Sequence, residues 1–173
     1  LATVAVVWSL FQILLASPLA NYVLPGDLIN NSRQIHLAFA IFLAFMAYPA
    51  LKSSPRHYIP IQDWIFAFLG VFTALYGLIF YQKVVDAGGL ADDVDKWFAF
   101  LGLLILFEGA RRALGPAMAL IATIFLAYVF FGSSEWVTDV IRWKGASLKK
   151  AMSHMWITSE GVFGIALGVS TKF

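Results

Sequence analysis

The chain contains no cysteine and little charge, and each shortage narrows its chemistry. Without cysteine there is no disulfide, no thiolate nucleophile and no cysteine-ligated metal. Charged residues make up 13% of the 173 residues and hydrophobic ones 61%, whereas soluble domains carry about 25% charged and about 45–50% apolar residues. Both departures run the same way, and the apolar residues are gathered in long runs, so a soluble domain is not the expected class. The net charge is only +2, and the basic residues sit at the ends of apolar runs. No basic stripe is left for nucleic acid. His36, His57 and His154 are isolated, with no second histidine at ligand spacing, so no metal site is expected. No Ser–His–Asp nucleophile signature, phosphate-cradling loop or dinucleotide fingerprint is present, and no catalytic residue or cofactor is expected.

What is present is five apolar runs. Crossing a hydrocarbon core of ~30 Å takes about 20 helical residues, and the runs approach that length: residues 1–22, 32–51, 62–82, 94–112 and 113–132. Lipid offers no partner to backbone groups, so such runs are expected as helices. A closed barrel would need alternation, which Leu101-Gly-Leu-Leu-Ile-Leu-Phe107 lacks. The expected fold is therefore all-α, a polytopic transmembrane bundle of about five full spans. The first run lacks a small-residue cleavage site and reads as a span rather than a signal. The chain opens inside one run and stops inside another, as a piece of a longer polypeptide would.

Turn residues join the runs: Leu24-Pro-Gly-Asp27, Ser53-Ser-Pro55, Ala87-Gly-Gly89 and Arg111-Arg-Ala-Leu-Gly-Pro116. In the last, Gly115 allows a reversal and Pro116 suits a first helical turn. Tyr58, Trp64, Tyr81, Trp97, Trp136 and Trp143 mark interfaces, where amphipathic rings settle. Lys52, Arg56 and His57 follow the second run, and Arg111 and Arg112 close the fourth. Asp86, Asp92, Asp93 and Asp95, against Lys83 and Lys96, follow the third. The positive-inside rule places the first two sets in the cytoplasm, the third outside and the N-terminus inside. Arg142, Lys144, Lys149 and Lys150 resist this, since they fall on the outer side.

Residues 135–158 mix charges with apolar residues, and Leu148, Met152 and Met155 recur at helical spacing. An amphipathic helix in the interface plane is expected there, followed from about Ile157 by a sixth, truncated span. On the third run, Ala67, Gly70, Ala74 and Gly77 form a small-residue stripe expected to pack against other helices.

Four groups of side chains carry the chemistry that the sequence offers. Glu108 lies three and four residues before Arg111 and Arg112, in the favourable acid-first order. A structural ion pair fixing helix depth is the plainer role, and an ion path the sharper one. Asp92, Asp93 and Asp95 suit a solvated helix start, with docking of an external partner as the alternative. Lys144, Lys149 and Lys150 suit a polar face beside lipid headgroups, or the docking of an acidic surface. Gly161, Gly164 and Gly168, beside Glu160, are expected to open the last helix, for close packing or for exposing backbone to ions.

Three stretches go further. Glu108-Gly-Ala-Arg-Arg-Ala-Leu-Gly115, the run to Tyr128-Val-Phe-Phe-Gly132, and above all Ser159-Glu-Gly-Val-Phe-Gly-Ile-Ala-Leu-Gly-Val-Ser170 resemble fused permeases of the tripartite ATP-independent periplasmic (TRAP) transporters, of the type working with TAXI-class binding proteins. The resemblance implies a small four-helix membrane subunit over 1–112, a linking helix over 113–134, and an outer arm with the start of the large transport subunit over 135–173. It implies a periplasmic TAXI-type solute-binding protein and the remainder of the large subunit as partners. It also implies a bacterial or archaeal cytoplasmic (inner) membrane and uptake of small organic acids driven by sodium or protons. Substrate and coupling ion would bind outside these residues, leaving Asp92, Asp93, Asp95, Lys144, Lys149 and Lys150 as docking candidates. A non-transport assembly or sensor module, or a membrane-embedded enzyme, are the alternatives.

Overall fold

The computed structural model describes residues 1–51, 58–88 and 90–172, the side chains of Tyr81 and Lys172 excepted. The Ser53-Ser-Pro55 turn, the loop charges Lys52, Arg56 and His57, the turn residue Gly89 and the Tyr81 ring lie outside the described residues. All the described secondary structure is helical: α1 (Ala2–Ala16), α2 (Ala20–Val23), α3 (Gly26–Asn30), α4 (Ser32–Ala47), α5 (Ile61–Ile79), α6 (Tyr81–Asp86), α7 (Asp93–Leu114), α8 (Pro116–Phe131), α9 (Leu148–Met152), a π-turn (Ser153–Ile157) and α10 (Ile165–Lys172).

Prolines and glycines decide most of the boundaries. Pro18 has no N–H to continue the ladder, and Ser17 turns extended at ψ 154°. The first run is therefore a helix of 15 residues followed by the short α2, not one unbroken helix. Pro49 likewise stops α4 at Ala47, because the residue before a proline is pushed out of the helical region. Pro60 precedes α5, and at Gly115 the chain reverses with φ 92°, leaving Pro116 in the first turn of α8. That reversal is the one expected from the sequence. At the start of α7 a capping box forms: Asp92 accepts from the backbone of Val94 and Asp95, and Asp95 accepts in return from Asp92 N–H.

Helix length by itself supports fewer spans than the five apolar runs suggest. Among the described residues one helix, α5 at 19 residues, is both long enough and apolar enough to cross a membrane. α1, α4 and α8 are apolar but shorter, at 16 residues or fewer, or about 24 Å at 1.5 Å per residue. α7 has 22 residues, but charges occupy both ends and leave only Trp97 to Phe107 uncharged.

The core lies among α4, α5 and α7, with Ile41 and Phe45 on α4, Ala67 and Ala74 on α5, and Ala99, Leu103 and Ile105 on α7. The α5 stripe packs as its small residues suggest: Gly70 lies directly against the Ile41 and Ile105 side chains, leaving no room for a Cβ. α8 packs on α7 yet buries none of its own residues. Large apolar side chains stand exposed on α1 (Leu10, Ile13), α5 (Ile65, Phe68) and α8 (Leu120, Phe125).

The arm differs from the expected interfacial helix. Residues 133–147 form a loop tied back to α8 by Trp143 N–H to the Gly132 carbonyl (3.1 Å) and Ala146 N–H to the Val129 carbonyl (3.0 Å). Beyond it, α9 and the π-turn turn their apolar side inward: Met152 is 0% and Trp156 3% exposed. Burial against α7 takes the place of a lipid surface there. The last helix begins at Ile165, not near Ile157, and only Gly168 belongs to it. Gly161 and Gly164 sit in the preceding turn, pressed on the backbone of His154, Met155 and Glu160 where a side chain would collide.

Candidate functional site

The charged side chains collect at the two ends of the α5–α7 pair. At one end α5 begins as α7 finishes, which sets Asp63, in the first turn of α5, beside Arg112, in the last turn of α7. Each charge suits the dipole of its own helix end. Arg112 Nη1 donates to Asp63 Oδ1 at 2.7 Å and its Nε to Glu108 Oε1 at 2.7 Å. Arg111 holds Glu108 from the other side, Nε to Oε2 at 2.7 Å and Nη2 to Oε1 at 2.8 Å, and reaches the Ala50 carbonyl at 2.9 Å. The Arg112 guanidinium also lies 4.6 Å from the Phe45 ring centroid and 5.9 Å from that of Phe66. Two carboxylates meet two guanidiniums, so the cluster is neutral. The Arg112 and Asp63 side chains are 2% and 3% exposed. Both Glu108 oxygens are engaged, which fits the structural ion-pair role and leaves little for a passing ion.

At the other end the Lys83 ammonium, just past α5, bridges Asp92 Oδ2 (2.8 Å) and Asp95 Oδ1 (2.6 Å). Tyr76 OH donates to the same Asp95 oxygen at 2.5 Å. The Asp95 side chain is 1% exposed, while those of Lys83 and Asp92 are 40% and 49% exposed. The hydrogen bond from Lys83, aided by backbone N–H groups, holds the Asp92 carboxyl down at about 2. Asp92 and Asp95 in turn push the Lys83 ammonium above its ordinary range. Asp93 is lowered by its hydrogen bond from Lys96.

The arm is fastened to this second end. Ala91 N–H donates to Ser153 Oγ at 2.8 Å, and Ser153 Oγ donates to the Lys149 carbonyl at 2.9 Å. Trp156 Nε1 donates to the Thr73 carbonyl at 2.9 Å, and its ring fills the space that a Cβ on Gly102 would need. The π-turn sets Ser153 and Trp156 inward together, both buried.

The sequence-chosen residues are thus dispersed among several settings. Glu108, Arg111 and Arg112 come together, with Asp63 added from α5. Of the docking candidates, Asp95 is buried and committed to Lys83 and Tyr76, so it is not part of a solvated helix start. Asp92 and Asp93 remain at the surface. Lys144, Lys149 and Lys150 are exposed and form no ion pair among the described residues. Lys149 lies near enough to Asp93 for its charge to lower the carboxyl further, so acidic and basic candidates share this end. Glu160 pairs with His154 Nδ1 at 3.2 Å, both exposed, and Gly168 lies against the Arg33 guanidinium. Among the described residues no three His, Asp or Glu side chains gather as a metal-ligand set.

Sequence reasoning missed Asp63, Tyr76, Trp156 and Arg33. Asp63 lies 49 residues before Arg112, and its only signal was an acid in a first helical turn. At His36, Gln12 Nε2 bonds Nδ1 and Trp8 meets the imidazole edge-on at 5.0 Å.

No family model, curated protein or solved structure matches the chain.

Proposed function

We propose that this chain is a membrane-embedded scaffold of a binding-protein-dependent secondary transporter that imports small organic acids, driven by a sodium or proton gradient. In this reading the apolar runs form about five spans of a cytoplasmic (inner) membrane, with the N-terminus in the cytoplasm. The observation that carries the scaffold role is the closure of the bundle's charges. The intramembrane-end cluster of Asp63, Glu108, Arg111 and Arg112 is neutral and internally bonded, so it offers no free charge to a moving solute. Charges in a membrane are tolerated when paired in this way.

Two further features support the reading. Apolar side chains stand outward on α1, α5 and α8, a surface that lipid covers at no cost and water does not. The sequence also resembles the fused permeases of TRAP transporters. Asp92, Asp93, Lys144, Lys149 and Lys150 then supply the outer docking surface for a periplasmic solute-binding protein. Coupling ion and solute bind in the remainder of the large transport subunit.

The test is uptake of labelled organic acids into proteoliposomes holding the full-length parent permease, with and without its binding protein, under an imposed sodium or proton gradient. Uptake that requires both the binding protein and the gradient is the expected result. Folded protein with no uptake across a broad panel of acids would sink the transport reading and leave a non-transport assembly or sensor module.

A further inference from the structure

α8 is apolar, buries none of its residues and is short for a membrane. Its 16 residues rise about 24 Å at 1.5 Å per residue, ~6 Å less than a ~30 Å hydrocarbon core. A helix that falls short is accommodated by thinning the bilayer or by neighbouring chain that continues its apolar surface. Here the chain does not leave the helix end. Residues 133–147 fold back on the last turn of α8, beyond the two backbone bonds already described. Tyr128 OH donates to the Ile141 carbonyl, Trp143 Nε1 donates to the Tyr128 carbonyl at 3.1 Å, and the Trp143 ring covers Gly132. Within the loop, Val137 N–H donates to the Ser134 carbonyl at 3.0 Å and Ile141 N–H to that of Thr138 at 3.1 Å. The Arg142 guanidinium gathers the carbonyls of Glu135 and Val137. Much of the loop's backbone is thus bonded within the protein, as irregular chain near hydrocarbon must be.

The loop nevertheless presents apolar side chains outward. Val137 is buried, but Trp136, Val140 and Ile141 are exposed. At 95%, Val140 is the most exposed large apolar side chain among the described residues. Such residues on a well-bonded loop mark a contact surface. Two observations say which kind. The first is depth: the bond from Tyr128 holds Ile141 level with the last turn of α8, where Phe131 also stands exposed. The second is charge. Glu135 and Asp139 balance Arg142 and Lys144, and Asp139 is paired with Arg142 at 2.9 Å. No single-sign field is left to select a charged protein partner.

We infer that residues 133–147 form a preshaped wedge in the outer headgroup layer, with Trp136, Val140 and Ile141 against lipid and continuing the apolar face of α8. A Trp ring suits that depth, being apolar with one polar edge. The wedge supplies the surface that the short helix lacks. It also moves the lipid contact of the arm from α9, which turns inward, to the loop before it, and so fixes the depth at which the arm starts. This rests on the reading that α8 crosses the bilayer, which the experiment tests separately.

The experiment uses the full-length protein in phosphatidylcholine vesicles, with Val140→Cys, Lys149→Cys or Phe125→Cys carrying an environment-sensitive fluorescent maleimide. The unlabelled parent supplies the background. Quenching is read with iodide in the water and with lipid bearing a nitroxide near the top of its acyl chain. The label at Val140→Cys should lose emission to the nitroxide lipid, and the label at Lys149→Cys to iodide alone. Because a label can itself draw a loop into lipid, the native emission removed by Trp136→Phe is measured as well. That emission should be quenched when the vesicles are made from brominated lipid. The wedge is overturned if the Val140→Cys label is reached by iodide alone, or by neither quencher, as under a covering protein. It is overturned too if the emission removed by Trp136→Phe is the same in brominated and plain lipid. Phe125→Cys separates the two readings. If its label also escapes nitroxides placed deeper in the chain, α8 does not face lipid and the spanning reading fails first; if that label is quenched and Val140→Cys is not, only the wedge fails.

Discussion

The two ends of the α5–α7 pair carry similar groups but hold them differently. At the Arg112 end the central ion pair is dry, with both side chains nearly inaccessible and the guanidinium stacked on two phenylalanines. At the Lys83 end one carboxylate, Asp95, is dry, but its ammonium partner and Asp92 are half in solvent. Buried charges are costly to strand, whereas exposed pairs are screened and contribute little. The Arg112 end is therefore a lock that fails badly when one half is removed. The Lys83 end is a softer joint, which is where the arm attaches through Ser153 and Trp156.

The comparison breaks most visibly at Arg112. Arg112→Met strands Asp63 without a partner, and a loss of about 3–5 kcal/mol is expected from unfolding in detergent. The double variant Asp63→Leu with Arg112→Met should recover most of that loss, since an apolar pair of similar volume is tolerated where one stranded charge is not. A double variant as unstable as the single one would show that the pair does more than neutralise itself. At the other end Asp95→Asn keeps the shape but weakens the bonds from Tyr76 and Lys83, so a smaller loss of about 1–3 kcal/mol is expected.

The smallest effect is one of pH. The Asp92 carboxyl is held at about 2, below its ordinary 3.8. A depressed carboxyl contributes stability that is present above the ordinary value and lost as pH falls through the lowered one. A modest acid loss between about pH 4 and pH 2 should therefore appear in melting curves and be reduced in Lys83→Gln. An unchanged acid limb in Lys83→Gln would separate Asp92 from Lys83.

The difference between the ends also explains what could be read from the sequence. Glu108, Arg111 and Arg112 share a helix, so spacing alone pairs them. The bond from Arg112 to Asp63 joins two helices and leaves no trace in spacing. Asp92, Asp93 and Asp95 read as a helix start, and Asp92 does cap α7. The burial of Asp95 depends on Tyr76, on another helix. Helix positions were legible because apolar runs have few other solutions, and the Gly115–Pro116 reversal because both residues have a fixed conformational use. Helix lengths were not, since mean hydropathy passes over Pro18 and Pro49 while the hydrogen-bond ladder cannot. The inward face of α9 and the π-turn was hidden for another reason. Met152 and Trp156 have the same sequence pattern whether they face lipid or the core, where the Trp156 ring fills the space of the missing Cβ of Gly102.

The central claim is that these two ends lie on opposite sides of a membrane, and the absence of native cysteine allows a direct test. Ala113→Cys, beside Arg112, and Ala87→Cys, beyond Lys83, both replace exposed residues and can each be labelled with an impermeant maleimide in oriented vesicles. The account predicts labelling of Ala113→Cys from the cytoplasmic face alone and of Ala87→Cys from the opposite face alone. Labelling of both from the same face would contradict it.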